Sequence, residues 1–581
     1  MKSNADIAKA LNEMAIFYAM DDVAFKPVAY EEAANAVDGS AESVAELYKR
    51  GGLKALKKLD GVGPSIAQHI EALIEHGDFR EHARFLRKYP VDVVGMCGIE
   101  GVGPKTVKLL YQKLGIRTML QLENAARKGK LRGVSRLGEK TEASILRGIA
   151  RVKSSSGRHL LGDVLDIARD FEMRIGEISG VIHAAVAGSV RRRQETVGDF
   201  DVVVTTKDHM RAMEAIGKMH EVAKVLEHGD TKLVVRLHNG MNADIRVVDP
   251  MSYGATLQYF TGDKAHNIEV RKLATKKGLM LNEYGLWRGK KLVAARSEED
   301  VYKALGLRWM APELRTNTGE IEAARQRGRD GLPKLIGYDH LRGDLQVQTD
   351  WTDGSASIRE MAEAARDAGL EYIAITDHTK SLAMVGGLDE KGLMRQAREI
   401  ARVNREMRGF HVLSGAEVNV MRDGSLDVQD AALAKLDVVG VSVHSFFGLS
   451  RKEQTERVVR AMRNPHVDVV FHPTGRLIGR RDPIDLDMDV VIAMARETRT
   501  ALEVNGSPDR LDLRDVFVRK AVEAGVKLVI NSDAHAPEHF RFLELGLAQA
   551  RRGWTEKTDV VNTKGYRDLK EWLTTPKAKR R

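Results

Sequence analysis

The stretch GSVRRRQETVGDFDVVV, Gly188–Val204, decides how the middle of the chain folds. Its second half is short, apolar and β-branched, which predicts a β-strand. Because side chains alternate along a strand, Asp199 and Asp201 point to the same face. Two carboxylates that lie close together repel each other unless a cation or a shared proton lies between them. The stretch therefore predicts a strand that presents a site for a hard divalent ion such as Mg²⁺.

The residues around this acidic pair favour a phosphate ligand beside the metal. Gly188 and Ser189 offer N–H groups and a hydroxyl before a helical turn, and Arg191–Arg193 offer guanidinium groups. Asp244 opens a later predicted strand, ADIRVVD, and is a candidate third metal ligand. Two-metal nucleotidyl transfer requires this combination of carboxylates and phosphate ligands. The alternative is that Asp-x-Asp only begins an ordinary exposed strand.

Upstream of this region, the sequence up to about residue 155 predicts successive helices separated by short glycine turns. Two segments share Gly-Val-Gly-Pro before a helical pattern: LDGVGPSIAQHI, Leu59–Ile70, and IEGVGPKTVKLL, Ile99–Leu110. Such a turn exposes backbone N–H groups at the positive end of a helix, which suits a DNA phosphate. A single copy more often just joins packed helices, but two copies favour two DNA contacts. The candidate glycines are Gly61, Gly63, Gly101 and Gly103.

Downstream of a polar, turn-rich stretch at about 312–340, short apolar strands alternate with amphipathic helices. This rhythm predicts a parallel α/β arrangement of about seven strands that closes into a barrel. The carboxyl ends of the predicted strands carry Asp353, His378, Glu417, His444, His472, Asp533 and His535. A lone histidine there is more often structural, but so many ligands on one rim favour a site for Mn²⁺, Zn²⁺ or Fe²⁺.

The composition is that of a multidomain globular protein, with 581 residues of which 43% are hydrophobic. The net charge of +10 favours an anionic partner such as nucleic acid. The single cysteine, Cys97, excludes a disulfide framework and favours a reducing cytoplasm. The sequence has neither a signal-peptide pattern nor an apolar stretch of membrane-spanning length, so we expect no membrane partner.

The motifs of the middle region together resemble a known palm. Gly188-Ser189-x-Arg191-Arg192, Glu195-x-x-Gly198-Asp199-x-Asp201 and Asp244-x-Arg246 resemble the palm of the family X DNA polymerases, the DNA polymerase beta family. The segment YFTGDKAHNIEVRKLATKKGLMLNEYGLW, Tyr259–Trp287, is similar to that family's nucleotide-selection subdomain. The Gly-Val-Gly-Pro turns resemble its helix-hairpin-helix motifs. The resemblance implies a template-directed polymerase.

The resemblance also implies roles for individual residues. Asp199, Asp201 and Asp244 would hold two Mg²⁺ or Mn²⁺ ions, and Asp244 would accept the proton of the primer 3′-hydroxyl. Residues expected at the incoming nucleotide are Ser189, Arg192 and Gly198 for the triphosphate and Tyr259, Phe260, Thr261 and Gly262 for the sugar. Asn267 and Arg271 are expected at the minor groove and template, and Glu283 and Tyr284 at the closing subdomain. Asp263 stands where a serine is expected, which is a departure from the family pattern near the sugar.

One position in the first hairpin departs from the family's repair members. In those members a lysine in the helix after the hairpin forms a Schiff base with an abasic sugar, and here the matching residue is His69. Imidazole does not form a stable Schiff base as an amine does. Lys54, Lys57 and Lys58 lie nearby in sequence, but nothing singles one out. We therefore expect weak or absent 5′-deoxyribose phosphate lyase activity.

The last part of the chain resembles the polymerase and histidinol phosphatase (PHP) superfamily, and the whole resembles the long bacterial family X polymerases. By this resemblance three metals are held. The expected ligand sets are two opening histidines with Glu417 and Asp533; Glu417, His444 and His472; and Asp353, His378 and His535. Gln346 and Gln348 replace both opening histidines, and an amide oxygen is a weaker ligand for transition metals. We expect the first metal to be absent or weakly held and nuclease activity to be reduced; alternatively, two metals or glutamine oxygens on Mn²⁺ suffice.

These inferences define a multidomain α+β and α/β fold. The expected units are a lyase-like helix-hairpin-helix domain at 1–82, fingers with a second helix-hairpin-helix at 83–156, a nucleotidyltransferase palm at 157–250, a thumb at 251–315, a linker at 316–340 and a seven-stranded (β/α) PHP barrel at 341–581. We expect a gap-filling repair polymerase with a 3′→5′ exonuclease-like domain. Gapped or primer-template DNA and deoxynucleoside triphosphates would be its partners, and the chain would act as a cytoplasmic, nucleoid-associated monomer. The alternatives are a DNA-end-binding scaffold and a nuclease whose palm only tethers DNA.

Overall fold

The structure is a computed structural model that describes residues 2, 4–38, 44–59, 61–99, 101–134, 137–155, 157–326 and 328–580. The chain begins with a helical region that encloses its own hydrophobic core. Its helices are α1 Asn4–Met20, α2 Lys26–Asp38, α3 Val44–Leu56, α4 Pro64–His76, α5 Arg80–Lys88, α6 Val93–Cys97, α7 Pro104–Leu114, α8 Met119–Arg127 and α9 Glu139–Ser155. Within the described residues, none of the helices combines the length and the apolar character that a bilayer crossing requires.

The two Gly-Val-Gly-Pro segments form turns of the same shape before α4 and α7. Gly61 and Gly101 adopt left-handed φ angles of 69° and 82°, a conformation that glycine reaches at little cost. Val62 and Val102 follow them and are buried in the helical core. Each helix then begins at the proline that closes the motif. The repeat in the sequence is therefore a repeated helix-hairpin-helix turn in the fold.

A five-stranded mixed sheet forms the palm. The elements of this region are β1 His159–Leu160, α10 Leu161–Gly176, β2 Val181–Val186, α11 Gly188–Arg191, β3 Thr196–Val197, β4 Phe200–Thr206, α12 His209–Gly217, β5 Val222–His228, β6 Lys232–Leu237 and β7 Asn242–Val248. The strand order is β2-β4-β7-β6-β5, and β4 pairs with β7 in parallel. The sequence does not predict β5, because a strand that is almost entirely exposed lacks the apolar signal.

The thumb follows the palm and extends further than the sequence predicts. Its elements are α13 Tyr253–Thr261, α14 Lys264–Lys276, β8 Met280–Asn282, β9 Gly285–Arg288, β10 Lys291–Ala294, α15 Glu298–Ala304 and α16 Glu320–Arg325. Ile321 and Ala324 of α16 are buried in the hydrophobic core of the thumb. The predicted linker at 316–340 is therefore corrected in its first part, where a short helix lies among polar turn residues and packs against the thumb.

Seven parallel strands form the barrel in chain order. Its elements are β11 Gly343–Val347, α17 Ile358–Asp367, β12 Tyr372–Ile375, α18 Glu390–Glu406, β13 His411–Asn419, α19 Asp430–Leu433, β14 Val438–Ser442, α20 Arg451–Met462, β15 Val469–Val470, α21 Met488–Thr498, β16 Ala501–Asn505, α22 Asp515–Glu523, β17 Leu528–Asn531, α23 Leu543–Arg552 and α24 Tyr566–Thr574. A bridge between Val347 and Ala534 joins the end of the first strand to the segment that follows the last strand. Leu569 and Trp572 of α24 pack against one face of the strands. The predicted seven-stranded barrel is confirmed.

The palm rests on the barrel through an apolar and an ionic contact. Leu511 and Leu545 of the barrel are buried in the hydrophobic cluster of the palm. Glu195 of the palm accepts hydrogen bonds from both terminal nitrogens of Arg476, at 2.7 and 3.0 Å, and from Gln549 Nε2 at 2.9 Å. Glu195 belongs to the same stretch as the acidic pair, so the segment that carries those acids is held directly by the barrel.

Replacing Arg476 by methionine is expected to destabilise the joined palm and barrel by about 3 kcal/mol. The arginine is almost fully buried, and its loss leaves the Glu195 carboxylate without a cation. This loss of unfolding free energy is near the lower end of the range for a broken buried ion pair, because Gln549 still donates a hydrogen bond to Glu195. Differential scanning calorimetry of the full chain measures the effect. Arg480→Met, on an exposed position of the same segment, is the control, and equal unfolding midpoints for the two variants would contradict the prediction.

Candidate active sites of the palm and the barrel

Acidic side chains gather at one edge of the palm sheet. Asp201 on β4 lies opposite Asp244 on β7 in the parallel register, and Asp199 stands one residue before β4. A Cβ atom added at Gly188 would come within 1.8 Å of Asp201 Oδ2. Only glycine therefore leaves room at position 188 for the carboxylate, which lies against the backbone of the turn after β2. The predicted strand and its parallel pairing with β7 therefore bring the three acids to the same edge of the sheet.

The surroundings of the inner acids oppose their negative charge. Burial, together with repulsion from Asp199 and Asp244, raises the pKa of Asp201 to about 7. Burial also raises the pKa of Asp244, against the attraction of Arg246 and Lys232. Among the described residues, none donates a hydrogen bond to the buried Asp244 Oδ1. Asp244 Oδ1 has only an ion pair with Arg246 Nε, at 3.3 Å. A divalent cation would relieve the repulsion among the acids, so the donor set fits a metal centre.

The turn after β2 adds polar groups beside the acids. Arg192 Nη1 donates to the Thr261 carbonyl at 2.5 Å, which joins the palm to the end of α13. Arg192 Nε is buried, and no described residue accepts a hydrogen bond from it. Ser189 follows Gly188 in α11, and Gly198 directly precedes the acidic pair; both are partly exposed. The predicted triphosphate ligands thus lie along the edge that carries the acids.

The other two arginines of the stretch are engaged elsewhere, which corrects the expectation that all three face a phosphate. Both terminal nitrogens of Arg191 donate to Glu298 of the thumb, at 2.8 and 2.9 Å, and the buried Arg315 binds the same carboxylate. Arg193 lies 3.3 Å from Glu544 of the barrel. These two side chains therefore attach the palm to its neighbours, because carboxylates distant in sequence lie beside them.

The end of α13 and the start of α14 form the turn expected at the sugar. Tyr259 and Phe260 are partly exposed, with ring centroids 5.2 Å apart. Asn267 is buried, and its Nδ2 donates to the Tyr259 carbonyl at 2.6 Å. Its amide therefore holds the turn, whose last residue, Gly262, caps α13. Arg271 is exposed, and its guanidinium lies 5.9 Å from the centre of the Tyr259 ring.

Asp263, which occupies the expected serine position, caps α14. Its side chain accepts a hydrogen bond from the His266 N–H at 2.7 Å. Serine and aspartate are both strong N-cap residues, so local helix capping accounts for the substitution. Of the two residues expected at the closing subdomain, Glu283 accepts from Thr256 through its carbonyl, and Tyr284 is exposed.

Glu417 is the centre of the barrel site. It is buried at the end of β13, and five side chains from the neighbouring strands surround its carboxylate. They are His472 at 2.8 Å, Gln348 at 2.9 Å, His444 at 3.1 Å, Gln346 at 3.2 Å and His378 at 3.5 Å. Burial alone would raise the pKa of Glu417, but the three imidazoles hold it well below its usual value. Residues far apart in sequence therefore meet here because each lies at or near the carboxyl end of a barrel strand.

Two groups of three ligands have all their ligand atoms within 4.8 Å of one another in the described chain, and both lie in the barrel. One group is Asp353, His378 and His535, and the other is His378, Glu417 and His444. His378 belongs to both. His472 binds Glu417 through Nε2, and its buried Nδ1 has no hydrogen-bond partner among the described residues. The first group is the third expected ligand set, and the second group has His378 where His472 was expected. Nitrogen and oxygen ligands of this kind fit transition metals.

The last expected ligand, Asp533, is bound by two residues that the sequence analysis missed. Asn505 Nδ2 donates to Asp533 Oδ2 at 3.1 Å, and Arg510 Nε lies 3.3 Å from the same oxygen. Asn505 is the last residue of β16, Ala501–Asn505. A search of the carboxyl ends of the predicted strands for polar side chains would have found it. Arg510 lies in the loop that follows, where no periodic pattern marks a side chain as part of the site.

The hairpin glycines leave open backbone at the starts of α4 and α7. Gly61, Gly63, Gly101 and Gly103 are all exposed. A Cβ atom added at Gly63, Gly101 or Gly103 would meet no other atom within 4 Å. An anion can therefore approach both turns closely, beside the positive end of a helix.

The partly buried His69 packs against aromatic residues of the first domain. Its ring stacks on Phe79 with centroids 4.1 Å apart, and its Nδ1 lies 2.7 Å from the Tyr30 hydroxyl. Burial lowers the pKa of the imidazole. Its contacts are those of a packed aromatic side chain.

Four parts of the chain match the sequence models of known protein families. The DNA polymerase beta thumb matches residues 256–316, and the PHP domain matches 344–488. The helix-hairpin-helix domain matches 2–79, and the SAM-like helix-hairpin-helix tandem matches 95–151.

Individual proteins match the chain over different lengths. The DNA polymerase/3′-5′ exonuclease PolX of Bacillus subtilis (strain 168) is 35% identical over 573 residues, which cover 98% of this chain and 99% of that protein. A probable phosphatase of Thermoanaerobacter sp. (strain X514) is 31% identical over 39% of this chain and 90% of its own length. DNA polymerase lambda of Arabidopsis thaliana is 27% identical over 45% of this chain and 53% of its own length.

Proposed function

Since the chain belongs to the family X DNA polymerases that carry a C-terminal PHP domain, we propose that its palm fills short gaps in DNA and its barrel removes nucleotides from 3′ ends. The chain is a DNA polymerase with an attached metal-dependent phosphoesterase domain. The observation that carries the proposal for the palm is the in-register pair of Asp201 and Asp244 against the Gly188 turn. The partners of the chain are DNA and deoxynucleoside triphosphates. We propose that the chain acts as a monomer on gapped duplexes.

We propose that Asp199, Asp201 and Asp244 hold two Mg²⁺ or Mn²⁺ ions. When bound, such ions activate the primer 3′-hydroxyl and neutralise the leaving pyrophosphate. The acids themselves fix where the primer end meets the triphosphate. Asp244 is the candidate acceptor of the 3′-hydroxyl proton, because its Oδ1 receives no hydrogen bond from any described residue.

We propose that the incoming nucleotide lies between the palm edge and the α13–α14 turn. Ser189, Arg192 and Gly198 would bind the triphosphate, supported by the buried and unused Arg192 Nε. The proposed sugar and base contacts are Tyr259, Phe260, Gly262, Asn267 and Arg271. The bond from Arg192 to the Thr261 carbonyl links the two groups, so phosphate binding and the sugar contact would move together.

We propose that the hairpins at Gly61, Gly63, Gly101 and Gly103 bind the DNA backbone on either side of the gap. The exposed glycines and positive helix ends support contacts to phosphate, which carry no sequence preference. This arrangement suits a repair polymerase, which must act at gaps of any sequence.

We propose that the barrel holds two divalent ions, with Mn²⁺, Zn²⁺ or Fe²⁺ as candidates, through Asp353, His378, Glu417, His444, His472 and His535. When bound, such ions activate water for attack on a phosphodiester. The histidines and acids would hold these ions at the rim, where Asp353 is exposed to solvent.

Synthesis on gapped duplexes tests the proposed function. Purified chain is incubated with a duplex that has a one-nucleotide gap and a 5′-phosphate, with an open primer-template of the same sequence as the comparison. We expect faster insertion in the gap, because both hairpins contact DNA there. Absence of extension on both substrates with Mg²⁺ and with Mn²⁺ would contradict the proposal.

A second function, DNA-end binding by a barrel that does not cut, is favoured by one observation. Gln346 and Gln348 take the positions of two metal-binding histidines. Incubation of a 3′-labelled single strand with Mn²⁺ distinguishes the two functions, since binding without shortening would assign the barrel a structural role.

We expect no Schiff base between the chain and a 5′-deoxyribose phosphate, because the packed, partly buried imidazole of His69 replaces the amine. Borohydride trapping on an incised abasic duplex measures this, with DNA polymerase beta as the positive control. A trapped complex at a comparable rate that disappears in the Lys54→Ala, Lys57→Ala or Lys58→Ala variant would overturn the expectation.

A further inference from the structure

The rim of the barrel where the first metal is expected contains amide groups and a guanidinium instead. Gln346 and Gln348 are fully buried, and the Nε2 atoms of both lie within 3.2 Å of Glu417 Oε2. Both amides therefore donate N–H groups to the oxygen that would bind the ion. Amide hydrogens carry partial positive charge, so they stabilise the negative charge of this carboxylate as a cation would.

The other expected ligands are also taken by hydrogen-bond donors. Asn505 Nδ2 lies 3.2 Å from Gln346 Oε1 and 3.1 Å from Asp533 Oδ2. Arg510 Nε lies 3.3 Å from that same Asp533 oxygen. In the described chain, the buried Gln348 Oε1 receives no hydrogen bond. The set contains no imidazole nitrogen, and Glu417 Oε2 and Asp533 Oδ2 already accept hydrogen bonds from amide N–H groups, so these residues do not fit the first metal.

Arg510 is placed to supply the missing positive charge. It follows β16 on the same rim, and its charge interacts with Glu417 as well as with Asp533. Four fifths of its side chain is removed from solvent, which fixes the guanidinium beside the acids. An arginine stays charged at every physiological pH, unlike a histidine or a lysine in the same place.

We propose that Arg510 is a built-in replacement for the first metal ion, and that the barrel is a two-metal centre with a fixed guanidinium as its third cation. The proposal rests on the proposed metal binding by the barrel. Arg510 is then a positioning residue, which holds Asp533 and, through Asn505 and Gln346, the orientation of Glu417. Restoring the histidines alone does not restore the metal, because the guanidinium still occupies Asp533.

The number of Mn²⁺ ions bound per full-length chain tests this proposal. Equilibrium dialysis followed by elemental analysis compares the unaltered chain, Gln346→His/Gln348→His, and Gln346→His/Gln348→His/Arg510→Gln. We expect the first two to bind equal numbers and the triple variant to bind one more ion. An additional ion in the double variant, or none in a triple variant that is folded by circular dichroism, would overturn the proposal. The count needs no DNA turnover, so it is independent of whether the barrel cuts DNA.

Charge rescue covers the case in which the triple variant does not fold. Arg510→Met keeps an unbranched apolar stem and removes the guanidinium and its charge, and we expect its unfolding midpoint to fall by several degrees. Arg510→Lys retains a cation, and we expect it to recover most of that loss without a change in the Mn²⁺ count. If Arg510→Met were as stable as the unaltered chain, the guanidinium would not be compensating Asp533, and the proposal would be wrong.

Discussion

Replacing Asp201 by alanine is expected to slow nucleotide insertion by about 10³-fold or more while 3′→5′ degradation continues. Asp201 lies between the Gly188 turn and Asp244, so its loss removes a carboxylate from the middle of the proposed metal site. A loss of about 4 kcal/mol in transition-state stabilisation corresponds to a rate effect of this size. Single-turnover insertion into a one-nucleotide gap with Mg²⁺ measures it.

Stability separates this loss of catalysis from a loss of folding. Burial and two neighbouring acids already oppose the charge on Asp201, so its removal relieves repulsion and the unfolding midpoint should not fall. Asp230→Ala, on the exposed turn between β5 and β6 of the same sheet, is the matched control and should insert nucleotides normally. Insertion by Asp201→Ala within tenfold of the unaltered chain would refute the assignment.

Replacing His378 by alanine is expected to lower 3′→5′ degradation by about 10²-fold or more and to leave nucleotide insertion unchanged. His378 is the ligand shared by both groups in the barrel, so a single change weakens both proposed metal sites. Shortening of a 3′-labelled single strand with Mn²⁺ measures the loss. The number of bound Mn²⁺ ions should fall in parallel, which provides a readout that is independent of DNA.

The control for this variant lies at the other end of the same barrel. His411 begins β13 and stacks on Tyr566, with ring centroids 3.5 Å apart, far along the strand from Glu417. His411→Ala should retain degradation and bound Mn²⁺. If both histidine variants lost activity equally, the effect would come from barrel stability, and the proposed ligand role of His378 would lose its support.

Much of the palm could be predicted because the decisive signals are local. Alternation along one strand places Asp199 and Asp201 on one face, and β-branched segments mark the strand that carries Asp244. Parallel pairing of those strands then sets Asp201 opposite Asp244. In the barrel, the rule that reactive groups gather at the carboxyl ends of strands identified the surroundings of Glu417 from single residues spread over the domain.

The features that were missed depend on contacts between distant segments. Strand β5 is exposed and carries no apolar alternation, while α16 is too short for its period to be recognised. Arg191 and Arg193 have the composition of a phosphate site, but Glu298 and Glu544 bind them in the fold. Arg510 lies in a loop, and only the three-dimensional structure places it beside Asp533.

The two barrel leucines that enter the palm, Leu511 and Leu545, bear on how this enzyme can be divided or altered. A fragment that ends before the barrel would expose to water the apolar surface of the palm that these leucines cover. We therefore expect the fragment to aggregate under conditions in which the intact chain does not. Substitutions on the metal-facing rim leave that surface untouched. Substitutions at the metal-facing rim can therefore change the nuclease while the polymerase continues to need the barrel as its support.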